Sequence, residues 1–309
     1  MLSKIFKEDI KCYEAKDLMI KHVRTLPPTE NLWQARNIMS GYRIKKVVAA
    51  VQKKLMHKHP IGILTLKDMI KFLIADKTDR DLNEIQISEP MNKDLITANK
   101  DSTITECAKI LTSNNVSSLI IVEEEQEDTN SNILAGIITS TDFTNFVSEN
   151  YIGFATVDDH MSQPVFTISI KEKVATAAQI MSEKKVSRLI VIDPDNENKL
   201  SGIVSETDIS RTIPAFKSRT IRSTYENMEL FFNSNSKPDF IEVSFVRIED
   251  IMTPNTITIE KGANLAEAAK IMVKHGISGL PVIESLQGSV DQPIGVISKS
   301  DIVKALTEE

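Results

Sequence analysis

One short motif occurs four times along this chain, and no other feature restricts its fold as strongly. The copies are "GILTLKD" at 62–68, "GIITSTD" at 136–142, "GIVSETD" at 202–208 and "GVISKSD" at 295–301. Each contains a glycine, two apolar residues, a hydroxyl residue and an aspartate six positions after the glycine. Repetition at a near-constant spacing encodes one structural unit several times, so the fold must contain four similar units.

The repeat extends well beyond the motif. Each unit has a threonine at one register: Thr25, Thr97, Thr167 and Thr258. Six residues earlier each has a methionine, which we interpret as core: Met19, Met91, Met161 and Met252. Ten residues after the threonine each has a small residue: Ala35, Cys107, Ala177 and Ala268. The motif glycine follows the threonine by 35 to 39 residues, so only one loop varies in length.

Hydrophobic periodicity predicts the same elements in every unit. Segments such as "NLAEAAKIMVKHG" carry apolar residues at helical spacing, and "SRLIVID" and "SGLPVIE" are typical of buried strands. A polar loop, a second strand and a last helix follow, which gives strand, helix, strand, strand, helix and an α+β fold. The small residue at the tenth position should let the first helix approach the sheet closely, so Cys107 is predicted to be core and not a nucleophile.

Composition narrows the functional classes. The 309 residues are enough for two domains, and 41% hydrophobic with 26% charged content is ordinary for a globular protein. A net charge of -6 does not favour nucleic acid as a partner. No apolar run reaches the roughly 18 residues needed to span a bilayer, and the first residues are too charged for a secretory signal. We therefore expect a cytoplasmic protein without membrane association.

The hydroxyl residue and the aspartate of the motif have two interpretations. Three positions apart at the start of a helix, they form a variant of the capping box, in which each side chain bonds the backbone of the other. The usual acid there is Glu or Gln, so four Asp residues suggest a second role. A helix N-terminus favours a phosphate, and an adjacent carboxylate can accept two hydrogen bonds from a ribose diol.

The segments "DIMTPNTITI", "GISGLPVIE" and "GVISKSDIV" resemble the CBS domain, a family named after cystathionine beta-synthase. All four units match this pattern in order, over about residues 15 to 309. The resemblance implies that units 1 and 2 pair through their sheets into one Bateman module, and units 3 and 4 into another. It also implies either a flat disk, as in the gamma subunit of AMP-activated protein kinase, or a homodimer.

The resemblance also implies the residues of a nucleotide site. The ribose ligands would be Asp68, Asp142, Asp208 and Asp301. The phosphate ligands would be Thr65, Thr139, Ser205 and Ser298. The base would contact an apolar slot and mainly backbone atoms at eight positions: Thr25, Ile44, Thr97, Val116, Thr167, Val186, Thr258 and Ile277.

Basic residues differ between the four units. At the turn before the second strand, Lys46 and Arg188 occupy a position where nucleotide-binding relatives often have Arg, whereas Ser118 and Gly279 stand there in the other two units. We therefore add Lys46 and Arg188 as phosphate ligands and expect unequal clefts. The alternative for Lys46 is a solvated surface lysine.

The spacing of the motifs predicts the domain boundaries. An N-terminal segment of residues 1–15 precedes unit 1, which covers 16–80. Unit 2 covers 81–150 and unit 3 covers 151–212. An insertion at 213–247 separates unit 3 from unit 4 at 248–309. The insertion is rich in aromatic residues. It is either extra structure that covers the second module or a surface for a partner, since exposed aromatics anchor interfaces.

Three functions remain open at this level. The first is a regulatory protein that binds AMP, ADP or ATP, with AMP or ATP preferred, and signals to an unidentified protein partner. The second is an adaptor with vestigial clefts. An enzyme is the third, and we rank it last because no nucleophile with a base, Walker-type loop or metal cluster is visible. Accordingly, we predict no catalytic residue, catalytic cofactor or metal, and expect "HKH" at 57–59 to be loop surface.

Overall fold

The computed structural model describes residues 10, 12–54, 57–76, 78, 80–125, 128–150, 155–195, 199–212, 246–285 and 292–307. The insertion at 213–247 lies almost wholly outside these residues, so both interpretations of it stay predictions. Within the described ranges, no helix has the length and apolar character needed to cross a membrane.

Units 1 and 2 form the first half of the chain. In unit 1 the elements are α1 Ala15–Leu18, β1 Thr25–Leu26, α2 Leu32–Gly41, β2 Lys46–Lys54, β3 His57–Thr65 and α3 Leu66–Ala75. In unit 2 they are β4 Thr97–Asn99, α4 Ile104–Ser113, β5 Ser118–Glu125, β6 Asp128–Thr139 and α5 Ser140–Asn150. In both, the first strand is parallel to the second, and the second is antiparallel to the third.

Units 3 and 4 repeat this topology. In unit 3 the elements are α6 Val157–His160, β7 Thr167–Ser169, α7 Val174–Lys184, β8 Arg188–Asp193, β9 Lys199–Ser205 and α8 Glu206–Thr212. In unit 4 they are α9 Ile248–Ile251, β10 Thr253–Pro254, β11 Ile259–Glu260, α10 Leu265–His275, β12 Gly279–Glu284, β13 Gln292–Ser298 and α11 Lys299–Ala305. The predicted order of strand, helix, strand, strand, helix is confirmed in all four units.

The small residues at the tenth position are buried as expected. Ala35, Cys107, Ala177 and Ala268 are all fully inaccessible to solvent. Burial raises the pKa of the Cys107 thiol to about 12, so it stays protonated and unreactive near neutral pH. These four residues let the first helix of each unit pack closely on its sheet.

The stretch before the first strand of each unit, which we call the lead segment, packs on the partner unit. The lead segments are 12–24, 80–96, 155–166 and 246–258. In the first half of the chain, Ile20 of the unit 1 lead bridges to Ile137 in unit 2, and Asn92 of the unit 2 lead bridges to Ile63 in unit 1. Units 1 and 2 therefore pair, as predicted.

The second half of the chain shows the same exchange. Ser162 of the unit 3 lead bridges to Val296 in unit 4. Thr253 of the unit 4 lead pairs with Ile203 in unit 3, where β10 adds a fourth strand to the sheet. Units 3 and 4 are therefore the second module.

The motif glycines are the contact points of these exchanges. A Cβ atom on Gly62 would lie 2.5 Å from Sδ of Met91, and one on Gly295 would overlap Sδ of Met161. At Gly202 the nearest atom would be the carbonyl oxygen of Thr253, at 2.5 Å. The repeated glycine and methionine are thus partners across each module, a more specific role than the core position expected for the methionines.

The two modules also pack on each other. Helix α5 of unit 2 lies against α10 and α11 of unit 4. Val147 of α5 belongs to the apolar core of unit 4, and Val303 of α11 belongs to that of unit 2. A single chain therefore brings its modules together, and the homodimer stays a separate prediction.

One expectation about a loop is wrong. His57 and His59 lie in β3, because β2 and β3 form a longer hairpin than the polar sequence indicates. His59 is buried, and its Nδ1 lies 3.0 Å from the carbonyl oxygen of Asn132 in unit 2.

The glycine contact can be tested by adding one methyl group. Gly202→Ala should destabilise the protein by roughly 1–3 kcal/mol, because the new Cβ meets a backbone oxygen that can move only with the lead segment. Gly41→Ala is the matched control, since no atom lies within 4 Å of its added Cβ. It should be neutral or stabilising by up to about 1 kcal/mol. Thermal unfolding of both variants measures this, and equal melting temperatures would contradict the proposed contact.

Candidate functional site

The capping interpretation of the motif is confirmed in all four units. In unit 1, Oδ2 of Asp68 accepts from the backbone N–H of Thr65 at 3.0 Å and from its hydroxyl at 2.6 Å. The same two bonds join Asp142 to Thr139, Asp208 to Ser205 and Asp301 to Ser298. The motif aspartate therefore fixes the first turn of the last helix.

Capping uses only one of the two carboxylate oxygens of each motif aspartate. In each unit both bonds go to Oδ2. In unit 4, Oδ1 of Asp301 accepts from the hydroxyl of Ser162, at 3.2 Å. Because Ser162 is in the lead segment of unit 3, the cleft beside Asp301 is formed by two units.

Capping also restricts the motif hydroxyl groups predicted to bind phosphate. A hydroxyl has one proton, and those of Thr65, Thr139, Ser205 and Ser298 donate theirs to the aspartate. A phosphate could accept that proton only by displacing the carboxylate. The backbone amides of the helix and nearby cations are therefore the better phosphate donors.

The eight predicted base-pocket residues fall into two groups. The four apolar residues follow the first helix of each unit, and the four threonines lie at or next to the start of its first strand. The backbone N–H groups of Ile44, Val116, Val186 and Ile277 donate to the last turn of the preceding helix. Thr97 and Thr167 are exposed, while Thr25 and Thr258 are half-buried. The hydroxyl of Thr25 accepts from Nζ of Lys58 at 2.8 Å. Because the N–H groups of the four apolar residues are already used, a base could bond only their carbonyl groups and contact their side chains.

Lys46 lies at the centre of the first module. Its Nζ donates to the Ser117 hydroxyl of unit 2 at 3.0 Å. Burial, and then repulsion from Lys45, lowers the pKa of Lys46 to about 8, against attraction by Asp142 and Asp68. Lys46 is half-buried and bonded to a second unit, an environment that differs from that of a freely solvated lysine.

Arg188 has the same position in the second module. Its guanidinium donates to the Ser278 hydroxyl of unit 4 at 3.2 Å. Burial lowers the pKa of Arg188, and attraction by Asp301, Glu206 and Asp208 opposes this. A Cβ on Gly279 would lie 2.7 Å from a guanidinium nitrogen. Both motif aspartates attract Lys46 in the first module and Arg188 in the second. A Cβ at position 279 would overlap the guanidinium of Arg188, which explains the glycine there.

Two further cations connect the modules, and the sequence did not reveal them. Nζ of Lys45 in unit 1 donates to the Thr207 hydroxyl of unit 3, at 3.1 Å. Nζ of Lys299 in unit 4 donates to the Thr141 hydroxyl of unit 2, at 3.1 Å. Burial lowers the pKa of Lys299, as does repulsion from Lys45 and Arg188. Lys299 fills a variable position of the motif, so comparing the repeats could not single it out.

A cavity of about 250 Å³ lies beside Asp142, between the unit 1 lead and α5. Tyr13 and Phe146 line it, with their rings in an edge-to-face contact at 5.0 Å. It is smaller than the roughly 300 Å³ at which ligand pockets begin, and no predicted base-pocket residue lines it. In the described ranges, no three His, Cys, Asp or Glu side chains come together as metal ligands would.

Comparison with known proteins assigns the family. The CBS domain model matches residues 15–75, 82–149, 157–215 and 248–308. The chain therefore belongs to the CBS domain family, with four CBS domains.

Two archaeal proteins match nearly the whole chain. MJ1225 of Methanocaldococcus jannaschii is 27% identical over 299 residues, which are 92% of this chain and 95% of that protein. Its crystal structure, proposed as an archaeal homologue of g-AMPK, has a TM-score of 0.69 at 22% identity and covers 94% of this chain and 99% of its own. A conserved Pyrococcus horikoshii protein has a TM-score of 0.59 at 19% identity, over 95% of this chain and 99% of its own. These structures support the fold.

An enzyme matches over a shorter region. Homoserine O-acetyltransferase of Methanohalobium evestigatum is 28% identical over 164 residues, which are 53% of this chain and 27% of the enzyme. The chain thus spans only about a quarter of that enzyme's length.

The environment of Lys46 predicts a pH dependence of stability. Between about pH 8 and its ordinary value of 10.5, Lys46 binds fewer protons in the folded chain than in the unfolded chain. The free energy of unfolding, relative to Lys46→Gln, should therefore rise with pH across this window, on the order of 1 kcal/mol. Urea unfolding at pH 7 to 10.5 measures it, with the exposed Lys270→Gln as control. A parallel pH profile for wild type and Lys46→Gln would contradict the burial of the charge.

Proposed function

We propose that this protein is a regulatory sensor of adenosine-containing nucleotides, with AMP or ATP preferred and ADP as a further ligand. One observation carries the proposal: in each module a half-buried cation attracted by both motif aspartates donates to a hydroxyl of the other unit, Lys46 to Ser117 in the first and Arg188 to Ser278 in the second. A ligand with a diol and an anionic group could use an aspartate and the cation together.

Each part of the nucleotide has a matching group in this proposal. The ribose diol would donate to the aspartate oxygen that capping leaves unused. The phosphate would lie at the helix N-terminus, near Lys46 or Arg188, where amides and cations favour negative charge. The adenine would enter between the lead segment of one unit and the apolar residues of the other, such as Val186 and Ile277.

The second module is the better candidate. Asp142 in the first module is buried, and burial raises the pKa of its carboxyl, which weakens it as a charged acceptor. In the second module, Oδ1 of Asp301 already accepts from a hydroxyl, that of Ser162, as it would from a ribose. Arg188 is a planar donor that can bind phosphate in a bidentate manner.

A protein partner would receive the signal. MJ1225, related over nearly the whole chain, has a structure proposed as a homologue of g-AMPK. By that relationship we propose that this chain acts on another protein, and that a nucleotide does so by favouring one arrangement of the two modules. The match to homoserine O-acetyltransferase covers a minor part of that enzyme, and we do not propose its activity here.

The ribose role is tested by Asp301→Asn. The amide oxygen can still accept from Ser298 and keep the cap, but the charge is lost, so AMP or ATP affinity should fall by about tenfold or more. Calorimetric titration of AMP, ADP and ATP measures the affinity. Asp159→Asn is a matched control, because Asp159 makes the same capping bonds to Thr156 in the lead segment of unit 3. If neither wild type nor variant binds any of the three, the adaptor function replaces the sensor.

The phosphate role of Arg188 is tested with two ligands. Arg188→Gln should weaken AMP binding by about tenfold or more and leave adenosine binding nearly unchanged, because only AMP carries the phosphate. Arg247→Gln, an exposed arginine in the lead segment of unit 4, is the control. Equal losses for AMP and adenosine would mean that Arg188 supports the fold and does not contact the phosphate.

A further inference from the structure

The residue after each lead methionine has the same place in all four units, which we call the post-methionine position. These residues are Ile20, Asn92, Ser162 and Thr253. Three of them, Ile20, Asn92 and Ser162, exchange two backbone hydrogen bonds with the residue after the partner unit's motif glycine, at 2.8 to 3.1 Å. Thr253 pairs with the matching residue, Ile203, in β9. The backbone register is therefore the same at each motif.

This register places the post-methionine side chain near the motif aspartate. The aspartate follows the bonded strand residue by five positions in every unit. In unit 4 the two side chains meet, because the Ser162 hydroxyl donates to Oδ1 of Asp301 at 3.2 Å. Since the backbone bonds and the spacing are the same, Ile20 has beside Asp142 the place that Ser162 has beside Asp301. The Ile20 side chain is 49% exposed, so it borders solvent.

The chemistry of the post-methionine position differs in one unit. Asn92, Ser162 and Thr253 have polar side chains, and Ile20 is a hydrocarbon. A ribose diol that binds a carboxylate loses water from both hydroxyls, and each hydroxyl then needs a new partner. A side-chain hydroxyl both donates and accepts, so Ser162 can bond a ribose hydroxyl while it also bonds the carboxylate. An isoleucine in the same place leaves that ribose hydroxyl without a bond.

The aspartate beside Ile20 also differs from its counterparts. Asp142 is 8% exposed, whereas the other three motif aspartates are half-buried. Its Oδ2 already accepts two bonds from Thr139. Lys46 and Lys299 attract its carboxylate, so the charges near Asp142 do not disfavour a phosphate. The contrast with Asp301 therefore concerns the contacts available to a ribose.

We propose that the post-methionine residue selects which motif aspartate can hold a ribose: Ser162 admits the diol beside Asp301, and Ile20 excludes it beside Asp142. This inference rests on the proposed function and adds the residue that makes the nucleotide sites unequal. A hydroxyl at this position supplies a second partner for the diol, and a hydrocarbon withholds it. Exchanging the chemistry at the two positions should therefore exchange the binding behaviour of the two sites.

Threonine and valine test this proposal at both positions, because they have nearly the same shape and differ by one hydroxyl. The variants of the full chain are Ile20→Thr, Ile20→Val, Ser162→Thr and Ser162→Val. Calorimetric titration measures how many AMP molecules bind per chain and how tightly. The control ligand is dideoxy-AMP, in which the ribose lacks both diol hydroxyls. Thermal unfolding checks that every variant is folded.

Ile20→Thr should bind one more AMP than the wild type, Ile20→Val should not, and adding Asp142→Asn to Ile20→Thr should remove the gained site. Ser162→Val should weaken one AMP site by about tenfold or more, and Ser162→Thr should retain it. Dideoxy-AMP should not distinguish threonine from valine. If the wild type binds AMP but threonine and valine behave alike at either position, or if dideoxy-AMP shows the same differences, the selection by this residue is overturned and the proposed function stands. If no chain binds AMP, ADP or ATP, both are overturned.

Discussion

The close approach of each lead segment to a glycine of the partner unit is the contact on which the rest of the structure depends. At Gly295 a single added carbon would overlap the side chain of Met161. Through this approach Ile85 and Ile87, in the lead segment of unit 2, become part of the core of unit 1. A unit on its own would lack part of its core, and the pairing of units 1 with 2 and 3 with 4 supplies it.

The same exchange assembles the proposed nucleotide site. It brings the residue after each lead methionine beside the strand that ends in the motif. Ser162 and Asp301 are 139 positions apart and meet for this reason. A ligand in such a cleft touches both units at once. Its binding energy therefore depends on how they are arranged, which is the physical requirement for a sensor.

Sequence reasoning predicted the elements of each unit because their signals are local and occur four times. The buried Ala177 and the capping bonds of Asp208 each depend on residues within one helix or turn. The bonds of Lys45 and Lys299 between modules could not be predicted, because they join residues 162 and 158 positions apart at places where the repeats differ. The burial of His59 likewise depends on Asn132 of another unit.

The structure also shows that the motif aspartate is not by itself evidence for a ligand. Aspartate in place of the usual glutamate suggested a second role, yet Asp159 and Asp250 make the same backbone capping bond in lead segments, outside the repeated motif. Aspartate alone is therefore explained by capping. What capping does not explain is a half-buried cation held between two such aspartates, since burial of a charge is costly unless it gains a partner. Lys46 has this position in the first module, and Arg188 crosses to Gly279 to take it in the second. Lys46 and Arg188 therefore carry the proposed function more than the aspartates do.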